Sequence, residues 1–249
     1  MSTMLVVDDV RKHFGGVRAV DGVSFQVARG EIRAIIGPNG AGKTTLFNIL
    51  SGRYRPDTGT IHLEGRRVDG LPPSELVRAG VGRSFQITNI FPGLSVVDNV
   101  VAAIAATRYH WTMFRPYRSM TSLQEEAFEY LRQVGLADKA NYVASALSHG
   151  EQRHLEIALT LAIRPRLLLL DEPTAGMAAS ESRRTMDLIE SLVAAHNLTV
   201  VFTEHDMNVV FSVAHRITVM HRGRVMAEGP PEDIRRDERV IAAYLGDEA

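Results

Sequence analysis

Residues Gly37-Pro38-Asn39-Gly40-Ala41-Gly42-Lys43-Thr44 follow the spacing G-x-x-x-x-G-K-[ST]. Glycines at those positions let the backbone curl, so that successive N–H groups converge on phosphate oxygens. A helix starting near Thr44 adds the positive end of its dipole. Lys43 then reaches the β- and γ-phosphates, the Thr44 hydroxyl ligates Mg²⁺, and Thr45 follows on the same helix. A second element, Leu167-Leu168-Leu169-Leu170-Asp171-Glu172, is an apolar run ending in two carboxylates. Asp171 is placed to join the Mg²⁺ shell, and Glu172 to polarise an attacking water. Such a run means little alone; downstream of a phosphate loop it supplies the carboxylates that hydrolysis of a nucleoside triphosphate needs. The chain has 25 Arg but only three Lys, at Lys12, Lys43 and Lys139. Lys43 stands where a compact ammonium is required and a planar guanidinium fails.

These residues need strands and helices to hold them. Leu5-Val6-Val7 reads as a short strand, and Val23, Phe25 and Val27 alternate with polar neighbours as a half-buried strand should. Ile32 to Ile36 predicts a buried strand feeding the glycine loop, and Thr44 to Leu50 a helix stopped by Ser51-Gly52. Turn residues at Asp57, Gly59, Gly65 and Gly70 extend an antiparallel sheet. From about residue 88 to 163 the texture is helical. Ser95 and Asp98 predict a capping box for a helix to about Ala106, and Ser122 with Glu125 a second capped helix ending near Gly135. A third helix runs from about Gly150 to Ile163. Tyr109, Trp111, Phe114 and Tyr117 cluster between the first two; they either pack that helical insertion or line a groove for a partner. Strands at 167–170, 200–202 and 217–220 alternate with helices near 180–195 and 206–214, which predicts a mainly parallel sheet.

Composition sets limits. At 249 residues the chain can bury a large core. A net charge of -1 argues against a dedicated nucleic-acid binder. The absence of Cys excludes disulfides, thiolate zinc sites and cysteine nucleophiles. The first residues lack the pattern of a secretory signal, and the apolar runs are too short to cross a bilayer.

Leu147-Ser148-His149-Gly150-Glu151-Gln152-Arg153 resembles the L-S-G-G-Q signature of ATP-binding-cassette (ABC) ATPases. Other matches follow in the family's order: Phe14 where an aromatic stacks on adenine, Gln86 as the Q-loop glutamine, and His205 as the switch histidine. The resemblance spans nearly the whole chain, 1–249. It implies an α/β fold: a P-loop NTPase (RecA-like) core with an N-terminal antiparallel β-subdomain and an α-helical subdomain inserted at about 88–163. It implies ATP and Mg²⁺ as ligands. ATP contacts are expected from Phe14, from Gly37, Pro38, Asn39, Gly40, Ala41, Gly42, Lys43, Thr44 and Thr45, and across a dimer from Ser148, Gly150 and Glu151. Mg²⁺ contacts are expected from Thr44, Gln86 and Asp171, and catalysis from Glu172, His205, Lys43 and Gln86. Three positions depart from the pattern. His149 replaces a glycine, Glu151 replaces the glutamine, and Ala178 stands where most such ATPases carry Asp, which suggests an unequal pair of ATP sites.

Within that family, Phe14-Gly15-Gly16, Arg83-Ser84-Phe85-Gln86, Gly150-Glu151-Gln152-Arg153, Ala175-Gly176-Met177, Thr203-Glu204-His205-Asp206-Met207 and Ala243-Tyr244-Leu245-Gly246 are similar to one branch. They resemble the longer ATPase subunit of bacterial branched-chain amino acid importers. The implied partners are a second ABC ATPase subunit packed head to tail, membrane permease subunits and, indirectly, a solute-binding protein, with no nucleic acid. The implied location is cytoplasmic, peripheral on the inner face of the cell membrane. The lipopolysaccharide-export ATPase shares several of these features and is the alternative. A soluble ABC ATPase acting on DNA or ribosomes is more distant, because the chain has one cassette and no inserted coiled coil.

Overall fold

The computed structural model describes residues 2–84, 90–108 and 118–245. Gln86 and the aromatic cluster at Tyr109, Trp111, Phe114 and Tyr117 lie outside the described residues. The chain opens with a long antiparallel hairpin, β1 (Thr3–Phe14) and β2 (Val17–Ala28). The short strand expected at 5–7 is therefore only the start of β1. Its alternation is hidden by a register shift between Val7 and Val10, where Asp9 takes a left-handed conformation, φ 44°. Next come β3 (Ile32–Ile36) and α1 (Lys43–Leu50), the latter stopped at Ser51 as predicted. β4 (Thr58–Leu63) and β5 (Arg66–Arg67) join the hairpin in a sheet of order β2-β1-β4-β5. A short helix α2 (Pro73–Arg78) and a strand β6 (Val81–Ser84) were not anticipated.

Helices α3 (Val96–Arg108), α4 (Arg118–Gln133) and α5 (His149–Ala162) follow, with no strand among the described residues before β7 (Leu167–Asp171). Ser95 Oγ accepts from Asp98 N at 3.0 Å, so α3 starts on its predicted cap. The second cap is a correction: α4 begins at Arg118, which places Ser122 inside the helix. The chain then alternates through α6 (Ala179–His196), β8 (Thr199–Thr203), α7 (Met207–Val213), β9 (Arg216–His221) and β10 (Arg224–Gly229). It ends in α8 (Pro231–Arg236) and α9 (Glu238–Leu245).

The second sheet runs β10-β9-β3-β8-β7-β6, parallel from β9 to β6, with β10 antiparallel at one edge. Strands β3, β7 and β8 are buried at every position, because both faces of this sheet are covered. Side-chain alternation divides them between two cores. Leu168 and Leu170 pack with the helices α3 to α7, whereas Leu167 and Leu169 pack with α1 and the antiparallel sheet. The fold is the α/β arrangement expected from the sequence. Among the described residues, no helix is long and apolar enough to cross a membrane.

Candidate functional site

The loop between β3 and α1 lies at the C-terminal end of the parallel strands, where such sheets bind ligands. Two glycines make its shape possible. A Cβ on Gly37 would stand 2.1 Å from the Met220 carbonyl oxygen, and one on Gly42 the same distance from that of Ala19. Gly42 is also the N-cap of α1, at φ 98°, and offers no side chain to the first-turn N–H groups. No acidic residue sits in that turn. The helix start thus keeps its donors and dipole for an anion. Asn39 and Gly40 form the exposed rim.

Lys43 is buried beneath this loop. Its Nζ donates to the carbonyl oxygens of Gly37 at 2.5 Å and Pro38 at 3.1 Å. Burial pulls its pKa below the usual lysine value, while the charges of Glu172 and Asp171 push it back up.

Strand β7 ends at Asp171. Thr203 on β8 donates to its Oδ1 at 2.8 Å, and Arg83 on β6 donates Nη2 to its Oδ2 at 3.1 Å. Arg83 also donates Nη1 to Asn48 Oδ1 at 2.8 Å and Ser51 Oγ at 2.6 Å. It therefore ties the end of α1 to the carboxylate. Glu172 takes the left-handed conformation, φ 49°, which turns it out of the strand. Its Oε1 receives the His205 ring N–H, with Nε2 at 2.7 Å. Glu204 is buried behind this pair. It accepts from Thr174 N at 2.9 Å and from His205 N at 3.0 Å, so it fixes the loops after β7 and β8 to one another.

Ser148 caps α5. Its Oγ accepts from Glu151 N at 3.4 Å, and the Glu151 carboxylate accepts from Ser148 N at 2.9 Å. The helix begins at His149, one residue earlier than expected. Arg153, one turn on, donates Nη2 to the carbonyl oxygens of Asp171 and Glu172, both at 2.9 Å. The start of α5 is thereby tied to the segment after β7 by one arginine side chain on two backbone carbonyls. Arg83, Glu204 and Arg153 were given no role from sequence. Each is a charged residue with at least one partner distant in the chain: Asp171 for Arg83, Thr174 for Glu204, and the Asp171 and Glu172 carbonyls for Arg153.

Phe14 stands at the tip of the β1–β2 hairpin, 44% exposed. Tyr54 meets it edge-on, with ring centroids 5.3 Å apart, and Lys12 Nζ lies 5.6 Å from its centroid. Thr44 and Asp171 lie at the wall of a cavity of about 840 Å³ that is otherwise largely apolar, lined by Leu76, Val81, Ala103 and Leu159 beside Arg83 and Glu156. A hydroxyl and a carboxylate on one cavity are hard oxygen donors, which fits Mg²⁺ with its remaining positions left to water and phosphate.

The ABC transporter family profile matches residues 20–175. This chain belongs to the ABC transporter family. A second profile, that of the branched-chain amino acid ATP-binding cassette transporter, matches residues 224–249 of this ABC ATPase. It is 40% identical over 250 residues to the high-affinity branched-chain amino acid transport ATP-binding protein LivG of Salmonella typhimurium, covering 98% of each chain. With BraF, the corresponding protein of Pseudomonas aeruginosa, identity is 41% over 252 residues, again 98% of each. The lipopolysaccharide export ATP-binding protein LptB of Acidithiobacillus ferridurans matches at a lower 35%, over 100% of this chain and 99% of LptB. Among solved structures, the ADP conformation of the ATP-binding cassette MJ1267 superposes with a TM-score of 0.88 at 27% identity, over 99% of this chain and 100% of that one. The dimeric post-hydrolysis state of the cassette MJ0796, bound to ADP and Pi, superposes at 0.77 and 28%, over 92% and 99%.

The alanine at the start of α6 has a local cost. Ala178 is the N-cap of α6, in an extended conformation suited to a cap, and makes no side-chain cap hydrogen bond. Ala178→Asp is expected to stabilise the chain by about 1 kcal/mol, by accepting from a first-turn N–H. Urea unfolding of the two proteins side by side reads this directly; an unchanged midpoint contradicts it.

Proposed function

We propose that this ABC ATPase powers uptake of branched-chain amino acids, or closely related small solutes, through a separate membrane permease. The observation that carries the substrate is the identity to LivG and BraF over 98% of each chain, together with the branched-chain profile at residues 224–249. The lower identity to LptB favours import over lipopolysaccharide export.

In this reading the subunit sits on the cytoplasmic face of the membrane, and two ATPase subunits close head to tail on ATP. The adenine stacks on Phe14, and the phosphates take the N–H groups of Gly40 to Thr45. Lys43 leaves the Gly37 and Pro38 carbonyls for the β- and γ-phosphates. Thr44, Asp171 and, by its place in the sequence motif, Gln86 would hold Mg²⁺, which would withdraw charge from the γ-phosphate oxygens. Glu172 accepts a proton from the water that attacks the γ-phosphorus, and His205 orients that carboxylate. Ser148, Gly150 and Glu151 face the ATP held by the opposite subunit. Gly150 supports such an approach: a Cβ there would meet nothing in its own chain nearer than 3.9 Å, so the fold itself does not demand a glycine. The dimeric form of MJ0796 supports the pairing.

Purification with candidate permease subunits in detergent, then reconstitution, tests this. ATP-dependent uptake of leucine, isoleucine or valine by the proteoliposomes is the expected result. A stable complex that hydrolyses ATP but moves none of them overturns the substrate; failure to bind any permease overturns the transport reading.

A further inference from the structure

The signature segment carries a carboxylate where an amide is usual, at the helix end proposed to meet a nucleotide triphosphate. We propose that Lys139 is a positioning residue of the shared ATP site, neutralising Glu151 so that the N-terminus of α5 can receive the phosphates held by the opposing subunit. This rests on the two-subunit reading given above.

Both oxygens of Glu151 are engaged. Oε2 accepts from Ser148 N at 2.9 Å, and Oε1 is ion-paired with Lys139 Nζ. The contact from Glu151 N to Ser148 Oγ is long, at 3.4 Å, so the cap is held mainly through the carboxylate. The lysine pairing and the Ser148 N–H together hold the Glu151 pKa below its usual range. Without a cation, an ionised carboxylate here would repel incoming phosphates. A second acid lies close by: the Glu181 carboxyl carbon is 3.9 Å from where a Cβ on Gly150 would be. Arg153 cannot substitute, because its guanidinium is committed inward to Glu156 and to the carbonyls of Asp171 and Glu172.

The choice of lysine has a reason. Arginine would fork across both carboxylate oxygens and compete with the Ser148 N–H for Oε2. A compact ammonium takes one oxygen and leaves the other to the cap. The rest of the chain's lysine usage agrees. Lys43 lies under the phosphate loop, and Lys12 lies beside Phe14, paired to Asp57 at 2.8 Å. All three lysines of the chain thus stand at the three parts of the proposed nucleotide site.

The test uses the Glu172→Gln background, where hydrolysis does not dissolve the complex. MgATP-driven association is followed by light scattering, with a second copy of the chain and with its companion ATPase. Lys139→Met is expected to weaken association about tenfold at low salt. The loss should shrink as salt rises, because repulsion between Glu151 and the phosphates is screened. Lys139→Met combined with Glu151→Gln should return association to within about twofold of the parent, since glutamine keeps the cap without the charge. Association of Lys139→Met equal to the parent overturns the proposal. So does a double variant as weak as the single one, which would make Lys139 a mere fold contact. If Lys139→Met does not fold, Glu151→Gln alone decides: association at least equal to the parent supports the proposal, and weaker association overturns it. A parent that shows no MgATP-dependent association in either pairing removes the two-subunit reading, and the role of Lys139 with it.

Discussion

Glu172→Gln binds MgATP and loses turnover by roughly a hundredfold or more, the share of rate that a positioned general base supplies. The amide keeps the size of the side chain and can still accept a hydrogen bond from the His205 ring, which now lies 2.7 Å from Glu172 Oε1. What it cannot do is accept the proton of the attacking water. Nothing in the phosphate loop is touched, so nucleotide affinity should survive, and the closed complex should accumulate because its exit by hydrolysis is blocked. Phosphate release under single-turnover conditions measures the loss, and equilibrium binding of labelled ATP measures what is retained. Turnover within a few-fold of the unmodified protein would show that the base lies elsewhere.

Lys43→Ala loses binding and turnover together. The ammonium is held beneath the loop by the carbonyls of Gly37 and Pro38. In a partly desolvated site its attraction for phosphate is large. Truncation should raise the dissociation constant for MgATP by about tenfold or more, and lower turnover by at least as much. Lys43→Arg keeps the charge and should fail almost as badly. A planar guanidinium cannot be folded between the Gly37 and Pro38 carbonyls in a buried pocket without moving the loop, and Gly37 already sits against the Met220 carbonyl with no room for a Cβ. Isothermal titration with ATP and steady-state phosphate release on both variants separate the two losses. An arginine variant of near-normal affinity would contradict the steric argument while leaving the charge argument standing.

How much of this was legible beforehand follows from how each signal arises. Ile32–Ile36, Leu167–Asp171 and Thr199–Thr203 announce themselves because a parallel strand covered on both faces must be apolar throughout. The phosphate loop is legible because its chemistry fixes residue types at fixed spacing. Asp171, Glu172 and His205 are weak signals that gain meaning only from position relative to that loop, and the fold brings all three together. By contrast, β1 was underestimated because a bulge at Asp9 breaks its alternation. The start of α4 was misplaced because Ser122 and Glu125 have the spacing of a cap while lying inside a helix. Arg83 and Arg153 were opaque for a different reason. Arg83 reaches Asn48 and Asp171, and Arg153 reaches the carbonyls around Glu172, across sequence separations that no local pattern encodes. Glu151 was identified as a departure from the signature, but its lysine partner lies 12 residues upstream, and only folding brings the two together.

In the proposed pair, each ATP lies between the phosphate loop of one subunit and the signature segment of another. The chain has no cysteine, so two introduced thiols report on this without background. Asn39 and His149 are both exposed, on the loop rim and the signature respectively. In the Glu172→Gln background, Asn39→Cys with His149→Cys should form disulfides between subunits on mild oxidation with MgATP, and few without it. A covalent species of about twice 27.5 kDa on a non-reducing gel is the expected result. Cross-linking that is indifferent to MgATP, or none between subunits while both thiols remain reactive, would show that the two segments do not share an ATP.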